Sequence, residues 1–198
     1  MSKNSLLPRG YKAEAERIAE KMRSEMNISK FDPIDCFELA KHLNTLVYTV
    51  SEICELGLSS AFAQKLIGTI NTPSKFSALL IPNEDGDNVI IHNNLHSPFR
   101  QQSNIMHELA HVIRRHKVSE EKRKIAIQFN LRINNPLHEE EAKYLGGCLE
   151  ITRAGLLYTL KRNYSIEDMS NYFSASTDMV NYRINSTGVR KQMSYSAK

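Results

Sequence analysis

The sequence predicts an α+β fold that is mostly helical, with a small mixed sheet beside one central helix and a C-terminal helical subdomain. Three observations predict it. Apolar residues recur at helical spacing through most of the 198 residues. β-Branched and apolar extended patterns are short and are read at 46–50, 76–81 and 88–92. After them comes His107-Glu108-Leu109-Ala110-His111, an HExxH pentapeptide set in a helical pattern. A chain of this length suits one domain with a small appendage, and the boundary is drawn between a main domain at 1–151 and a helix-turn-helix-like subdomain at 152–198.

Each element has its own warrant. Over residues 10–26, Ala15, Ile18, Ala19, Met22 and Met26 share one helical face. Asp32-Pro33 is read as the cap of a second helix, with Ile34, Phe37, Ala40 and Leu43 as its buried stripe. Leu46-Val47-Tyr48-Thr49-Val50 reads as a strand. Residues 53–70 read as helical, weakened by Gly57 and Gly68. The runs 76–81 and 88–92 flank the turn-rich Pro82-Asn83-Glu84-Asp85-Gly86-Asp87 and predict a hairpin. Ser97-Pro98 supplies an N-cap and an N1 proline for the HExxH helix, expected to end near His116. Phe99, Met106, Leu109, Ala110 and Ile113 fall in one arc of that helix, with Ile105 and Val112 on another side. A helix apolar on two sides is a buried one. Residues 117–138 read as a loop with a short helix near Glu120, and 137–151 as a helix. The segment 152–198 reads as three short helices. Ser165-Ile166-Glu167-Asp168 has capping-box form, and Ser174-Ala175-Ser176 separates it from a helix containing Val180 and Ile184.

The pentapeptide carries the chemistry. Two His at i and i+4 project from one helical face, so their imidazoles can take two positions on a tetrahedral Zn²⁺ at about 2.0–2.1 Å. Glu108 stands beside them as the general base toward a water acidified by the metal. Chance explains the motif poorly: the chain's own His and Glu frequencies give about 0.02 expected matches.

Composition narrows the remaining classes. With 41% hydrophobic and 24% charged residues the chain reads as an ordinary soluble protein. Ala78-Leu79-Leu80-Ile81 is typical of its longest apolar runs, far short of a membrane span, and Met1-Ser2-Lys3-Asn4-Ser5 opens no secretory signal. Cys36, Cys54 and Cys148 form no CxxC pair and no disulfide framework, which fits reduced thiols in a cytoplasmic protein. The net charge is +4, and the basic runs Arg114-Arg115-His116-Lys117 and Lys122-Arg123-Lys124 read as solvated faces.

A catalytic zinc site takes a third protein ligand. The arrangement HExxHxxGxxH is excluded, because Arg114 and Lys117 stand where Gly and His are needed. His116 is expected to turn away from the His107/His111 face, so the ligand must come from another helix. The segment Glu139-Glu140-Glu141-Ala142-Lys143-Tyr144-Leu145-Gly146-Gly147 is the obvious source, with His138 as a rival. Its three Glu point in different directions, so at most one or two face the metal.

At this point the chain resembles the ImmA/IrrE-type metallopeptidases, zinc proteins of the HExxH…E group. The resemblance extends over most of the chain: the Asp-Pro-led early helix, the apolar strands, HELAH itself and the later Glu-x-x-Ala segment. Members carry Glu-x-x-Ala-Asn-x-Phe-Ala-Ala, then an apolar stretch and Pro. Laid on that pattern, Ala142 sets the register, and the resemblance implies Glu139 as third zinc ligand with Glu140 and Glu141 as neighbours. The chain departs from the pattern at Lys143, Leu145, Gly146-Gly147 and Thr152. Lys143, in place of Asn, would bring a positive charge near the metal or swing to solvent.

The expected protein is therefore a zincin-like, cytoplasmic zinc endopeptidase with His107, His111 and Glu139 as ligands and Glu108 as catalytic base. The resemblance further implies a narrow protein substrate, a DNA-binding repressor. The alternative is a metal-binding transcriptional regulator that reads DNA through the segment 165–186, with Arg183, Arg190 and Lys191 as its cations. That reading is the less favoured, because Arg183 is the one basic residue of the would-be recognition helix, and Met169, Phe173, Val180 and Ile184 have the spacing of core contacts. No membrane partner is expected, and the sequence sets no oligomeric state.

Overall fold

The fold is given by a computed structural model that describes residues 6–55, 66–69, 76–82, 88–116 and 135–196. The readings of most of 53–70, of the turn between the hairpin strands, of the helix near Glu120 and of the run Lys122-Arg123-Lys124 fall outside the described residues. Among the described residues, the helices α1 (Tyr11–Glu25), α2 (Cys36–His42) and α3 (Val50–Glu55) precede the HExxH motif. The strands β1 (Thr45–Thr49), β2 (Ala78–Ile81) and β3 (Asn88–His92) form one mixed sheet of order β1-β3-β2. β1 runs parallel to β3, Thr45 opposite Asn88, while β2 runs antiparallel to it, Ala78 opposite His92. The HExxH helix α4 (Pro98–Arg114) follows, then α5 (Pro136–Glu150) and four short helices: α6 (Arg153–Lys161), α7 (Ile166–Phe173), α8 (Thr177–Thr187) and α9 (Val189–Ser196). The chain is thus a mostly helical α+β protein.

Local chemistry explains where the elements depart from expectation. The cap of α2 is Asp35 and not Asp32: Asp35 Oδ1 accepts from the backbone N–H of Phe37 at 2.8 Å and of Glu38 at 3.0 Å. Ala40 is buried as expected, together with Leu39, while Phe37 is 47% exposed and not part of the buried stripe. Asp32 instead accepts a hydrogen bond from the Tyr172 hydroxyl on α7 at 2.8 Å. Ser97 occupies the N-cap position of α4 without bonding through its side chain; Pro98 opens the helix. The last segment holds four helices rather than three among the described residues, because Gly188 takes a left-handed conformation (φ 66°) and restarts the chain as α9.

Two apolar clusters form. The first joins α1, α2, β3, α4 and α5 through residues such as Ala19, Leu39, Ile90, Met106, Leu109 and Leu145. The second, within α6 to α9 and the end of α5, holds Ile151, Leu156, Met169, Phe173, Val180 and Ile184. Gln102, a polar residue on the buried side of α4, pins α2 against it: its Oε1 accepts from Cys36 N–H at 3.1 Å and its Nε2 donates to Ile34 O at 2.8 Å. Where the clusters meet, two buried guanidinium groups satisfy carbonyls that the end of α5 leaves without helical partners. Arg23 Nη2 donates to Leu149 O at 2.8 Å, and Arg183 Nε donates to Ile151 O at 2.9 Å. Both cations sit at the negative end of the helix dipole, and Arg183 is also ion-paired with Glu16.

Glu150 lies in the same buried zone, with neither carboxylate oxygen making a well-formed hydrogen bond. Burial pushes its carboxyl up to about 8, opposed only in part by the Ser103 hydroxyl and the Arg183 charge. A carboxyl whose folded-state pKa lies above its unfolded value stabilises the fold fully below about pH 4.5, and that contribution is lost as pH rises through about 8. Glu150→Gln removes the titration. Urea unfolding at pH 5 and pH 8 should therefore show wild type losing about 2–4 kcal/mol relative to Glu150→Gln across that interval. Parallel pH profiles for the two proteins would show Glu150 to be ionised in the fold.

Candidate metal centre

The centre is built where α4 and α5 touch. Gly146 permits the contact: a Cβ there would stand 3.2 Å from His107 Cα and 3.3 Å from both His107 N and Met106 O. Backbone meets backbone, so the helices lie closer than any larger residue allows. Glu139 is seven residues before Gly146 and so lies on the same helical face. The face that brings Gly146 onto the His107 backbone brings the Glu139 carboxylate to the His107 ring. Glu140 points to solvent, and Glu141 turns inward on a different line. Asn135 starts the helix by accepting from Leu137 N–H at 3.1 Å, with Pro136 at the first position.

Three side chains converge. His107 Nε2 and His111 Nε2 are 3.3 Å apart. Glu139 places Oε2 at 3.3 Å from His107 Nε2 and Oε1 at 3.7 Å from His111 Nε2. A tetrahedral ion with bonds of about 2.0–2.1 Å has ligand–ligand edges of about 3.3–3.4 Å, so the three side chains fit the base of such a site. Among the described residues this is the group of His, Cys, Asp and Glu that gathers so. His138 does not join it; its ring stacks on His116, centroids 4.2 Å apart and planes within 4°. Lys143 reaches over the ring of Tyr182 on α8, its ammonium 5.7 Å from the centroid, and so swings away.

Electrostatics keep the centre ready for a cation. Burial first, and then His107, lower the His111 pKa to about 4, so its ring is neutral at ordinary pH. The hydrogen bond with His107 holds the Glu139 carboxyl below the usual range against the effect of burial. Glu108 shows the opposite balance: burial raises it, opposed by His107 and by a bond from the sheet. That bond runs from Leu80 N–H on β2 to Glu108 Oε2 at 3.1 Å. Leu80 N–H therefore points away from β3, and the outer edge of β2 faces the motif helix.

The structure corrects the reading of His116 and of Arg114 near it. Arg115 is left-handed (φ 51°) and closes α4 with a paired motif, Arg115 N–H to Val112 O at 3.0 Å and His116 N–H to His111 O at 3.1 Å. This ending brings the side chain of the second residue past the cap back over the last turn. His116 thus returns to His111, ring nitrogen Nδ1 to ring nitrogen Nδ1 at 2.9 Å, and sets its Nε2 2.9 Å from Glu141 Oε2. Burial lowers the His116 pKa against the pull of Glu141. Arg114 is no solvated cation either, since it bonds Glu14 at 2.7 Å and Glu141 at 3.4 Å. The signal present in the sequence was a His five residues after a ligand His at a helix end.

Arg183, one of the three cations of the DNA-reading alternative, is wholly buried in its bonds to Glu16 and Ile151 and presents no charge at the surface of α8. Two imidazoles and a carboxylate closing on one point, with a glutamate between the two imidazoles, define the site class of HExxH metallopeptidases. The family model for the IrrE N-terminal-like domain, Peptidase_M78, matches residues 72–185, which include the motif helix and Glu139. The match covers more than half of the chain, and the chain belongs to that peptidase family. No curated protein and no solved structure matches it significantly.

The α4–α5 contact yields a direct test. Gly146→Val should force the helices apart, lowering stability by about 1–3 kcal/mol in urea unfolding and weakening zinc binding in the same preparation. Unchanged stability and zinc affinity would mean that the contact is not what sets Glu139.

Proposed function

We propose that this chain is a zinc-dependent endopeptidase that cleaves a specific regulatory protein, a DNA-binding repressor, in the cytoplasm. The observation that carries this reading is the convergence of His107 Nε2, His111 Nε2 and the Glu139 carboxylate at tetrahedral-edge distances. These three residues hold the metal; two imidazoles and one carboxylate suit Zn²⁺, although Mn²⁺ or Fe²⁺ accept the same donors. When bound, zinc acidifies a water and polarises the scissile carbonyl. Glu108 takes the proton of the attacking water and passes it to the leaving amine.

Among the described residues no strand pairs with the outer edge of β2, and this supports a peptide as substrate. Leu79 and Ile81 of this strand are 50% and 44% exposed, and an exposed apolar edge is a template for an added strand. Leu80 N–H, which such a strand would seek, is bonded to Glu108 in this structure. A peptide that takes this donor releases the carboxylate for the water, so substrate arrival and base availability are linked at one hydrogen bond. The repressor as substrate rests on the resemblance to the ImmA/IrrE type, and the cytoplasm on three free thiols, Cys36, Cys54 and Cys148.

Two measurements test the reading. Elemental analysis should find about one zinc per chain in wild type and loss of it in His107→Ala and Glu139→Ala; zinc retained in Glu139→Ala would move the third ligand elsewhere. Glu108→Gln should keep its zinc while cleavage falls by about 10²–10⁴-fold. Cleavage is read as new N-termini in a cell extract incubated with each protein. Equal new N-termini from wild type and Glu108→Gln would remove Glu108 as base.

A further inference from the structure

We propose that His116 and Glu141 form a relay that fixes the tautomer of His111 and so prepares His111 Nε2 as a ligand before any metal arrives. The inference rests on the reading of His111 as a metal ligand. It concerns two residues that touch neither the metal nor a substrate, and they are positioning residues.

The geometry leaves little freedom. The left-handed Arg115 and the bond from His116 N–H to His111 O fix the His116 backbone. Its ring is held on one face by the parallel ring of His138. Glu141 is held by two residues: Arg114 Nε and Nη2 both reach its Oε2 at 3.4 Å, and its backbone carbonyl accepts from the Tyr11 hydroxyl at 2.9 Å. The side chains of His116 and Glu141 are 7% and 8% exposed, so water does not readily substitute for either partner.

Proton positions then follow by elimination. A carboxylate only accepts hydrogen bonds, so His116 Nε2, facing Glu141 Oε2, carries the proton. In a neutral His116 the other nitrogen, Nδ1, is a bare acceptor. His111 Nδ1 faces it at 2.9 Å and must donate. His111 Nε2 is left with its lone pair, aimed at the point where His107 Nε2 and Glu139 converge. The usual partner of a metal-binding His is a carboxylate, carbonyl or water in direct contact. Here a second imidazole extends the reach, because Glu141 lies too far around α5 to bond His111 itself while Glu139 is turned to the metal. The charge of Glu141 arrives through His116, and Arg114 and Glu14 tie the far end to α1.

The test uses the full chain, with zinc affinity measured by competition against a chromophoric chelator. His116→Ala should bind zinc about 10–100-fold more weakly than wild type. His116→Asn, whose amide oxygen can stand where Nδ1 stood and accept from His111, should recover most of that loss; a purely space-filling role predicts no such recovery. Long-range proton–nitrogen NMR on wild type should place the proton on Nδ1 of His111 and on Nε2 of His116, with and without zinc. This second readout decides the matter even if His116→Ala fails to fold. Unchanged affinity in His116→Ala, or a His111 protonated on Nε2 in the metal-free protein, would overturn the relay alone. A wild type that binds no zinc would overturn the ligand reading, and the relay with it.

Discussion

Everything at the centre depends on how closely α4 and α5 approach one another. Most helix pairs are separated by interlocking side chains at axial distances of 8–10 Å. Here Gly146 has no side chain to interpose, and its α-carbon lies against the backbone of Met106 and His107. Glu139 shares that face, so a short carboxylate side chain on one helix reaches an imidazole on the other. A wider spacing would leave the carboxylate short of the donor atoms. The helical motif supplies two ligands by its own periodicity, whereas the third depends on tertiary packing.

That packing is secured at both ends of α5. At its start, Asn135 and Pro136 fix the first turn that carries Glu139. At its end, Arg23 and Arg183 reach in from α1 and α8 to bond its last carbonyls and the carbonyl after them. Arg23 replaces two backbone donors that the helix terminus lacks, and Arg183 replaces one. Arg183 in turn is held by Glu16, so α1, α5 and α8 are joined by buried charge rather than by apolar contact alone. Breaking one member of such a pair strands the other in a low-dielectric interior. The short C-terminal helices are therefore part of what holds α5 in place.

Much of this was legible in the sequence, and the reasons for the failures are physical. The motif helix could be read because its apolar residues lie on two sides, which only a buried helix does. Glu139 could be read only through a register, since three consecutive Glu give no local reason to prefer one. The start of α2 was misread by three residues because Asp32 and Asp35 are both capping residues. Glu38, three after Asp35, was the available tie-breaker. His116 was misread because five residues along a helix is a turn of about 140° from His111. Its return depends on a left-handed Arg115, and nothing in Arg announces that conformation as Gly would. The less favoured DNA-reading alternative needs Arg183 at the surface, yet it adjoins Ile184 and follows Val180 by three, which puts it on the buried side. Its partner Glu16 lies on a helix remote in sequence, so the ion pair had no local trace.

The same constraints explain why two imidazoles and a carboxylate can stand so close together. His107 Nε2 is hydrogen-bonded to the Glu139 carboxylate, and His111 Nε2 stands 3.3 Å from His107 Nε2 and 3.7 Å from Glu139 Oε1. In a flexible chain they would rotate apart. Here rotation is opposed by helix packing, and protonation of His111 by burial, which takes its pKa to about 4. A proton and a metal ion seek the same lone pair, so a group that resists protonation at neutral pH remains open to a cation. The centre is thus disfavoured locally and stabilised by the fold around it. That inequality is what a site built in advance for a divalent ion requires.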